Sequence, residues 1–298
     1  MHWRFIEKPS LKLIYSFSIY SFLLHVFGTV ILYTDAFVIG LFLPISFLTF
    51  FSIAGNLFTY ARGLLAGVTQ TITPLASKLE AEGLHKDLQR LTLNASGYAT
   101  ALMLPVYVTF MLRGSSTIGL WMGVEYAKLS GQVLWVLALA GVFSSAPAVA
   151  WAIMFGISKH KAMVPMYLVE SGCNIGLSIW LVPKFGVIGS AWGTTLPNLL
   201  VCLFFFPWFV NRALGISKRS YIERAWIRPL ISIMPFAACT YAMEHWWPAQ
   251  RLFFLLIQVA LALPLAAVPL WYVCVPREDR DHGLKNLKRS LGLTVHGA

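Results

Sequence analysis

Two charged residues lie deep inside apolar segments of this sequence and are its first candidates for chemistry. Arg62 is near the middle of the segment 46–76, and Glu170 is near the middle of the segment 162–182. An unpaired charge at the centre of a membrane-spanning helix costs at least ~2.5–3.5 kcal/mol, so each side chain needs a polar environment. A guanidinium stays charged at any relevant pH, and its planar fork matches phosphate oxygens. We expect Arg62 to face a polar cleft and bind an anion; the alternative is a structural ion pair with Glu170.

Polar or small residues accompany these charges at helical spacing. Residues three or four apart share one face of a helix, and four segments each have such a face. The faces are Gly55, Thr59, Arg62, Ala66, Thr69 and Thr73; Tyr167, Glu170, Asn174 and Ser178; Ser18, Ser21, His25, Gly28 and Asp35; and Ser190, Thr194 and Asn198. Four polar faces predict a shared hydrophilic cleft between helices.

The composition indicates that lipid surrounds most of the chain. Of its 298 residues, 58% are hydrophobic and 12% are charged, against roughly 25% charged in an average soluble domain. The mean hydropathy is +0.70. The apolar runs are about 20 residues long without period-2 alternation, and a backbone in lipid must satisfy its own hydrogen bonds. The sequence therefore predicts an all-α integral membrane protein and excludes a soluble globular domain.

Eight membrane-spanning helices are predicted, near residues 13–40, 46–76, 91–112, 131–156, 162–182, 187–209, 227–243 and 252–275. For the first two, a division into 13–33 and 36–61 is the alternative. We favour the first division because the residues from Gly40 to Pro44 resemble a tight turn. The domains predicted are an N-terminal segment 1–12, a six-helix lobe 13–209, a basic loop 210–226, two additional transmembrane helices 227–275 and a basic tail 276–298.

The distribution of positive charge predicts the orientation of these helices. Short cytoplasmic loops retain Lys and Arg, and 18 of the 23 basic residues fall in the termini and even-numbered loops. The opposite side holds Arg113, Lys128, Lys184 and Arg251, and Arg62 lies within a span. We expect both termini to be cytoplasmic in a multi-pass protein of the inner (plasma) membrane.

Several other classes of function find no support in the sequence. The four cysteines are far apart in apolar stretches, which predicts neither a disulfide framework nor a metal site. No catalytic or nucleotide-binding motif of the common types is found, so we expect no enzymatic activity, no catalytic residue and no cofactor. No soluble basic domain is available for nucleic acid. The N-terminal apolar run is too long for a signal peptide.

Ordered segments of the chain resemble the second half of a polysaccharide exporter. The family is the lipid-linked oligosaccharide flippase branch of the multidrug/oligosaccharidyl-lipid/polysaccharide superfamily. The segments that carry the resemblance are 71–78, 82–83, 88–91, 120–127, 156–161 and 174–194. The last of these, NIGLSIWLVPKFGVIGSAWGT, is similar to the family's helix, its Pro-x-aromatic-Gly turn and its small-residue helix.

This resemblance implies a fold and a cargo. Family members have two six-helix lobes around a cavity that opens alternately to each side, and they carry an isoprenoid pyrophosphate-linked saccharide. Such cargo suits the residues found here: Arg62 for the pyrophosphate, with Glu170 as its resting partner. The sugar hydroxyls would meet Thr59, Thr69, Gln70 and Asn174, and the isoprenoid tail would stay among membrane lipids. No ATP site is found, so Asp35, His25 or Glu170 would titrate or bind a coupling ion; for His25 alone, a hydrogen-bonded packing role is the alternative.

The first lobe of that family is missing from this sequence. Either the chain is a fragment, or a second copy or a separate N-terminal lobe completes a transporter. Two other functions remain open. A cation-coupled drug antiporter of the same superfamily would need carboxylates in its cavity, which a midplane Arg disfavours, and a non-transporting scaffold for polysaccharide assembly would use the polar faces only for packing.

Overall fold

The computed structural model describes residues 8–276 and residue 280, and within them the secondary structure is entirely helical. Short 3-10 and π segments lie at His160–Met163, Val201–Phe205 and Glu223–Ile227. The α-helices are α1 (Lys8–Phe42), α2 (Ser46–Ala81), α3 (His85–Trp121), α4 (Val124–Gly156), α5 (Val164–Phe185), α6 (Val187–Leu200), α7 (Phe206–Leu214), α8 (Lys218–Ile222), α9 (Arg228–Ser232), α10 (Met234–Trp246) and α11 (Leu252–Cys274). The predicted all-α membrane fold is confirmed.

The helices form eight continuous stretches within residues 8–276, because α6 and α7 run on through one π segment and α8 to α10 through another. Five stretches are long and apolar enough to cross a membrane: 17–42, 85–121, 124–156, 187–214 and 252–274. Helices α2 and α5 have Arg62 and Glu170 in their apolar segments. The chain is a multi-pass membrane protein.

The first break falls where the favoured division placed it. Helix α1 ends at Phe42 and α2 begins at Ser46, so Asp35 and Arg62 both lie inside helices rather than between them. Most helices extend beyond the predicted spans, α3 by six residues before residue 91 and nine after residue 112. A helix end can project past the apolar layer because its charged side chains reach water. The predicted segments 1–12 and 276–298 lie mostly outside the described residues.

Helix α4 forms the centre of the bundle. It packs against α2, α3 and α6, while α5 packs between α1 and α6. Small residues let helices in such a bundle approach closely. Gly193 on α6 is an example, because a Cβ there would lie 2.8 Å from the backbone nitrogen of Ser178 on α5. Helices α1 and α2 touch each other little, since α1 packs mainly on α5 and α2 on α4.

The last two membrane helices, α10 and α11, pack together on the outer side of α3. A buried polar network joins the three helices. Arg113 Nε donates to Glu244 Oε2 at 2.6 Å, and Arg113 Nη2 donates to Gln258 Oε1 at 2.7 Å. The prediction that Arg113 lies in a loop is therefore wrong: α3 continues past residue 112, and Arg113 is 1% exposed. Its carboxylate partner, Glu244, is more than 130 residues away in sequence, and helical periodicity does not predict contacts between helices so far apart.

Candidate functional site

A polar cavity lies between α1, α2, α3, α4, α5 and the segment from α6 to α7. Its volume is about 670 Å³. The polar residues among those that line it are Ser21, His25 and Thr29 on α1; Arg62 and Thr69 on α2; Tyr107 on α3; Ser144 and Trp151 on α4; Tyr167 and Glu170 on α5; and Asn198 on α6. Apolar residues such as Leu65 and Phe206 complete the wall. The cavity forms because α1 and α2 pack on different neighbours and leave a gap between them.

Arg62 and Glu170 both line this cavity, but they do not form the predicted pair. No carboxylate among the described residues lies within 4 Å of Arg62 in an ion pair. Its guanidinium lies 5.9 Å from the ring centroid of Phe58 instead, and the residue is exposed to the cavity. Glu170 is buried and accepts a hydrogen bond from Asn198 Nδ2 at 3.1 Å. A cation is thus presented to the open cavity, while the carboxylate is held in its wall.

The structure brings together four of the eight predicted site residues. Arg62, Thr69, Glu170 and His25 line the cavity. Thr69 is held on the helix by donating to the carbonyl of Ala66 at 3.0 Å.

The other four predicted residues do not line the cavity. Thr59 and Gln70 are exposed on α2 outside it, and Asn174 and Asp35 are buried elsewhere. Thr59, Gln70 and Asn174 therefore do not line the cavity in this structure, and their role in binding sugar hydroxyls stays a prediction. The spacing from Arg62 places Thr59 and Gln70 near its face, but the cavity is only two turns tall on α2, from Arg62 to Thr69.

Asp35 is the acceptor at the centre of a second polar cluster, between α1, α5 and α6. Its Oδ1 accepts hydrogen bonds from Ser190 at 2.5 Å and Thr194 at 2.8 Å. Asn174 Nδ2 donates to Thr194 Oγ1 at 2.8 Å. Asn174 is 1% exposed, and its Oδ1 has no hydrogen-bond partner. The cluster therefore combines a buried carboxylate with a buried, unused amide oxygen, two groups suited to a proton or a hard cation.

Seven polar residues of the cavity lining were not predicted as site residues, and three of them are Asn198, Tyr167 and Trp151. Asn198 and Tyr167 were recognised only as members of polar faces, and Trp151 gave no signal because an isolated Trp in an apolar helix is common. Trp151 and Phe155 form a tilted ring pair with centroids 4.2 Å apart at one side of the cavity. Aromatic faces of this kind are common in sites that bind sugars or apolar chains. Only the tertiary structure places both rings on the wall of the same cavity.

His160 contacts two residues that line the cavity, Phe155 and Ser21. It lies in the 3-10 turn between α4 and α5, and its ring stacks on Phe155 at 4.6 Å and meets Phe17 of α1 edge-on at 4.4 Å. Its Nε2 lies 3.4 Å from Ser21 Oγ. Burial lowers the pKa of His160 below its ordinary value of 6.5. The neutral form of the His160 ring therefore makes these contacts between α1 and the turn.

Comparisons with known proteins agree with this architecture. A family model described as polysaccharide biosynthesis protein matches residues 2–131. An uncharacterized membrane protein of Methanocaldococcus jannaschii is 22% identical over 160 residues, which are 54% of this chain and 31% of that protein. The probable low-salt glycan biosynthesis flippase Agl15 of Haloferax volcanii is 21% identical over 194 residues, which are 64% of this chain and 41% of that protein.

These matches span less than half the length of either relative, so they bear on part of a longer protein. The family model covers the helices that contribute Arg62 and His25 to the cavity. With the all-helical membrane fold, they confirm the resemblance found in the sequence. Residues 2–131 are similar to a family of polysaccharide biosynthesis proteins, and the chain is distantly similar to a probable glycan biosynthesis flippase.

Proposed function

We propose that this chain takes part in moving a lipid-linked saccharide across a membrane, without changing it chemically. The observation that carries the proposal is Arg62, a permanent cation that lines a cavity of about 670 Å³ and has no carboxylate within 4 Å among the described residues. A guanidinium binds a pyrophosphate through charge-assisted, bidentate hydrogen bonds. The isoprenoid pyrophosphate head of the cargo would therefore bind at Arg62.

The rest of the cavity suits the other parts of such a cargo. Thr69 and Asn198 would hydrogen-bond sugar hydroxyls, and the Trp151 ring would stack on a sugar face. The gap between α1 and α2 would let the isoprenoid tail remain among membrane lipids. Glu170, held by Asn198, would keep the opposite wall polar without neutralising Arg62.

We further propose that the cavity acts by alternating access and needs a second lobe, either a separate N-terminal lobe or a second copy of this chain. One side of the cavity is open because α1 and α2 contact each other little and pack mainly on different helices, α5 and α4. Alternating access requires two rigid bodies that rock about a shared site. Liposomes with one chain per vesicle should therefore show no flipping of a fluorescent isoprenoid pyrophosphate saccharide, and full activity at that density would refute the requirement.

We propose that Asp35 binds and releases the coupling ion that drives transport, with His25 as a second candidate. Asp35 lies outside the cavity lining but between α1 and α6, two helices that also line it. Binding or release of an ion there would change how these helices pack. Asp35→Asn should abolish stimulation of transport by an ion gradient while leaving isoprenoid pyrophosphate binding unchanged. Equal loss of both would assign Asp35 a purely structural role.

A binding measurement tests the proposed cargo site directly. The purified full chain in detergent is titrated with undecaprenyl pyrophosphate, and the uncharged alcohol undecaprenol serves as the reference ligand. Arg62→Ala should weaken binding of the pyrophosphate about 10- to 100-fold, the value of a charge-assisted hydrogen bond. Arg62→Lys should lose less, because it keeps the charge without the planar fork. Binding of the alcohol should not change.

A matched control separates a local effect from a general loss of charge. Arg212→Ala removes another guanidinium, which lies over Trp208 outside the cavity, and it should bind the pyrophosphate normally. Arg62→Ala should also accumulate normally, because Arg62 neutralises no carboxylate within 4 Å. A fall in abundance that Glu170→Ala restores together with transport would show a structural pair and overturn the assignment. Such a result would favour the scaffold function.

A further inference from the structure

The guanidinium of Arg62 lies over an aromatic ring of its own helix. Phe58 precedes Arg62 by four residues on α2, so the two side chains share one helical face. The central carbon of the guanidinium is 5.9 Å from the centroid of the Phe58 ring. A cation at this distance over a ring face is attracted by the quadrupole of the ring. Phe58 is not among the residues that line the cavity, so a ligand bound there would contact Arg62 and not Phe58.

Two neighbouring helices hold the Phe58 ring in place. The ring of Tyr107 on α3 lies 6.0 Å from the ring of Phe58, with an angle of 41° between the two planes. Tyr107 is 1% exposed, so its own position is fixed by packing. Residue 141 on α4 is Gly, and a Cβ there would lie 2.5 Å from Tyr107 Cζ and 2.9 Å from Phe58 Cε2. Both rings therefore fit only because Gly141 has no side chain.

An aromatic ring restrains an arginine differently from a carboxylate. A carboxylate would accept hydrogen bonds from the guanidinium, and an incoming anion would have to displace it. The face of Phe58 attracts the cation without a carboxylate's claim on its five N–H donors. Glu170, the carboxylate in the same cavity lining, accepts a hydrogen bond from Asn198 instead. The donors of Arg62 thus stay available to a phosphate group while the guanidinium is already held at the cavity.

We propose that Phe58 is a positioning residue for Arg62. Its ring holds the guanidinium in the orientation that binds an anion in the cavity, and Tyr107 and Gly141 fix the ring. This inference rests on the proposed function of Arg62 and adds to the site a residue that the ligand does not touch. A side chain that is ordered before binding loses less entropy when the ligand arrives. Removal of the ring should therefore lower the affinity for an anion through Arg62 alone.

A double-mutant cycle between Phe58 and Arg62 tests the proposal. Purified full-length variants are titrated with undecaprenyl pyrophosphate, and undecaprenol serves as the uncharged reference. Phe58→Leu should weaken binding of the pyrophosphate about 5-fold, the value of one cation–π contact, and should leave binding of the alcohol unchanged. Phe58→Met keeps the apolar volume without the ring, so it should show the same loss even if Phe58→Leu accumulates poorly. Phe58→Tyr keeps the ring face and should retain most of the affinity.

The same substitutions in an Arg62→Ala background separate positioning from packing. Neither Phe58→Leu nor Phe58→Met should weaken binding further there, because no guanidinium remains to be positioned. Phe50→Leu is the matched control: it removes a ring from the same helix, outside the cavity lining, that forms a similar pair with Tyr126 at 5.4 Å. This control should bind the pyrophosphate like wild type.

Two failures of the cycle are distinguishable. If Arg62→Ala weakens binding but the Phe58 variants bind normally, or lose the same factor with and without Arg62, the positioning role is overturned and the anion site at Arg62 stands. Loss of affinity in Phe50→Leu equal to that in Phe58→Leu would overturn the role in the same way. Normal binding of the pyrophosphate by Arg62→Ala would refute the proposed cargo site, and the role of Phe58 with it.

Discussion

Removing one partner of the buried pair between Arg113 and Glu244 should strongly destabilise the protein, whereas replacing both partners should not. The Arg113 side chain is 0% exposed and the Glu244 side chain is 24% exposed. Ser116 also donates a short hydrogen bond to Glu244, and Arg113 Nη1 has no partner. Glu244→Gln therefore removes the only carboxylate paired with a fully buried guanidinium in the described part of the chain.

The size of the effect follows from this burial. Removing one member of a buried ion pair costs ~3–5 kcal/mol, because the other charge remains without compensation. Glutamine keeps one acceptor for Arg113, so we expect the lower limit, ~3 kcal/mol, or roughly a 150-fold change in the unfolding equilibrium constant. Arg113→Leu with Glu244→Gln should recover most of this loss, since an apolar replacement of a buried pair is often neutral.

Unfolding in dodecyl maltoside micelles titrated with dodecyl sulfate, followed by tryptophan fluorescence, measures these changes. Glu223→Gln is the matched control, because its pair with Arg228 is exposed on both sides, 41% and 44%, and should be screened by water. The control should unfold like wild type. If Glu244→Gln also unfolds like wild type, or if the double variant is no more stable than Glu244→Gln, the pair does not stabilise the packing of α10 on α3.

Three shorter predictions follow from packing, pH and orientation. Gly193→Ala should destabilise the chain in the same assay because its Cβ meets the α5 backbone, whereas Gly176→Ala, with no atom within 4 Å, should not. The free energy of unfolding should fall as the pH drops below about 6.5, because His160 takes up a proton more readily in the unfolded chain than in the folded one. His160→Gln should flatten this pH dependence, and an unchanged slope of stability against pH would contradict the prediction. Single cysteines at Lys86 and Arg219 should not label from outside intact cells, and labelling at either would refute cytoplasmic termini.

The helices of this protein could be located from sequence because hydropathy is a local property. Each apolar run must satisfy its backbone internally, whatever its neighbours are. The break between α1 and α2 at residues 43–45 could be predicted from the turn-forming residues near it, and with it the placement of Asp35 and Arg62 inside helices. The helix ends are less certain from sequence, because charged residues such as Lys86 and Arg90 continue a helix beyond the apolar layer.

The helical faces were also predictable, but only in part. Arg62, Thr69, His25 and Glu170 do share one cavity, because the 3.6-residue period places polar residues on the buried side of each helix. Helical periodicity does not predict which turns of a polar face line the cavity and which pack against another helix. Asn174 follows Glu170 by one turn and yet meets Thr194, because α6 approaches α5 closely at Gly193.

Pairing between distant charges was decided by the tertiary structure alone. The sequence suggested Glu170 for Arg62 from similar depth, but in the structure Glu170 accepts a hydrogen bond from Asn198, and Arg62 lies over Phe58 and lines the cavity. The sequence also predicted that Arg113 lies in a loop, whereas in the structure its ion pair with Glu244 on α10 allows the guanidinium to be buried. A helix fixes which side chains share a face, whereas the choice of partner depends on how helices far apart in sequence pack, and composition and periodicity do not contain that information.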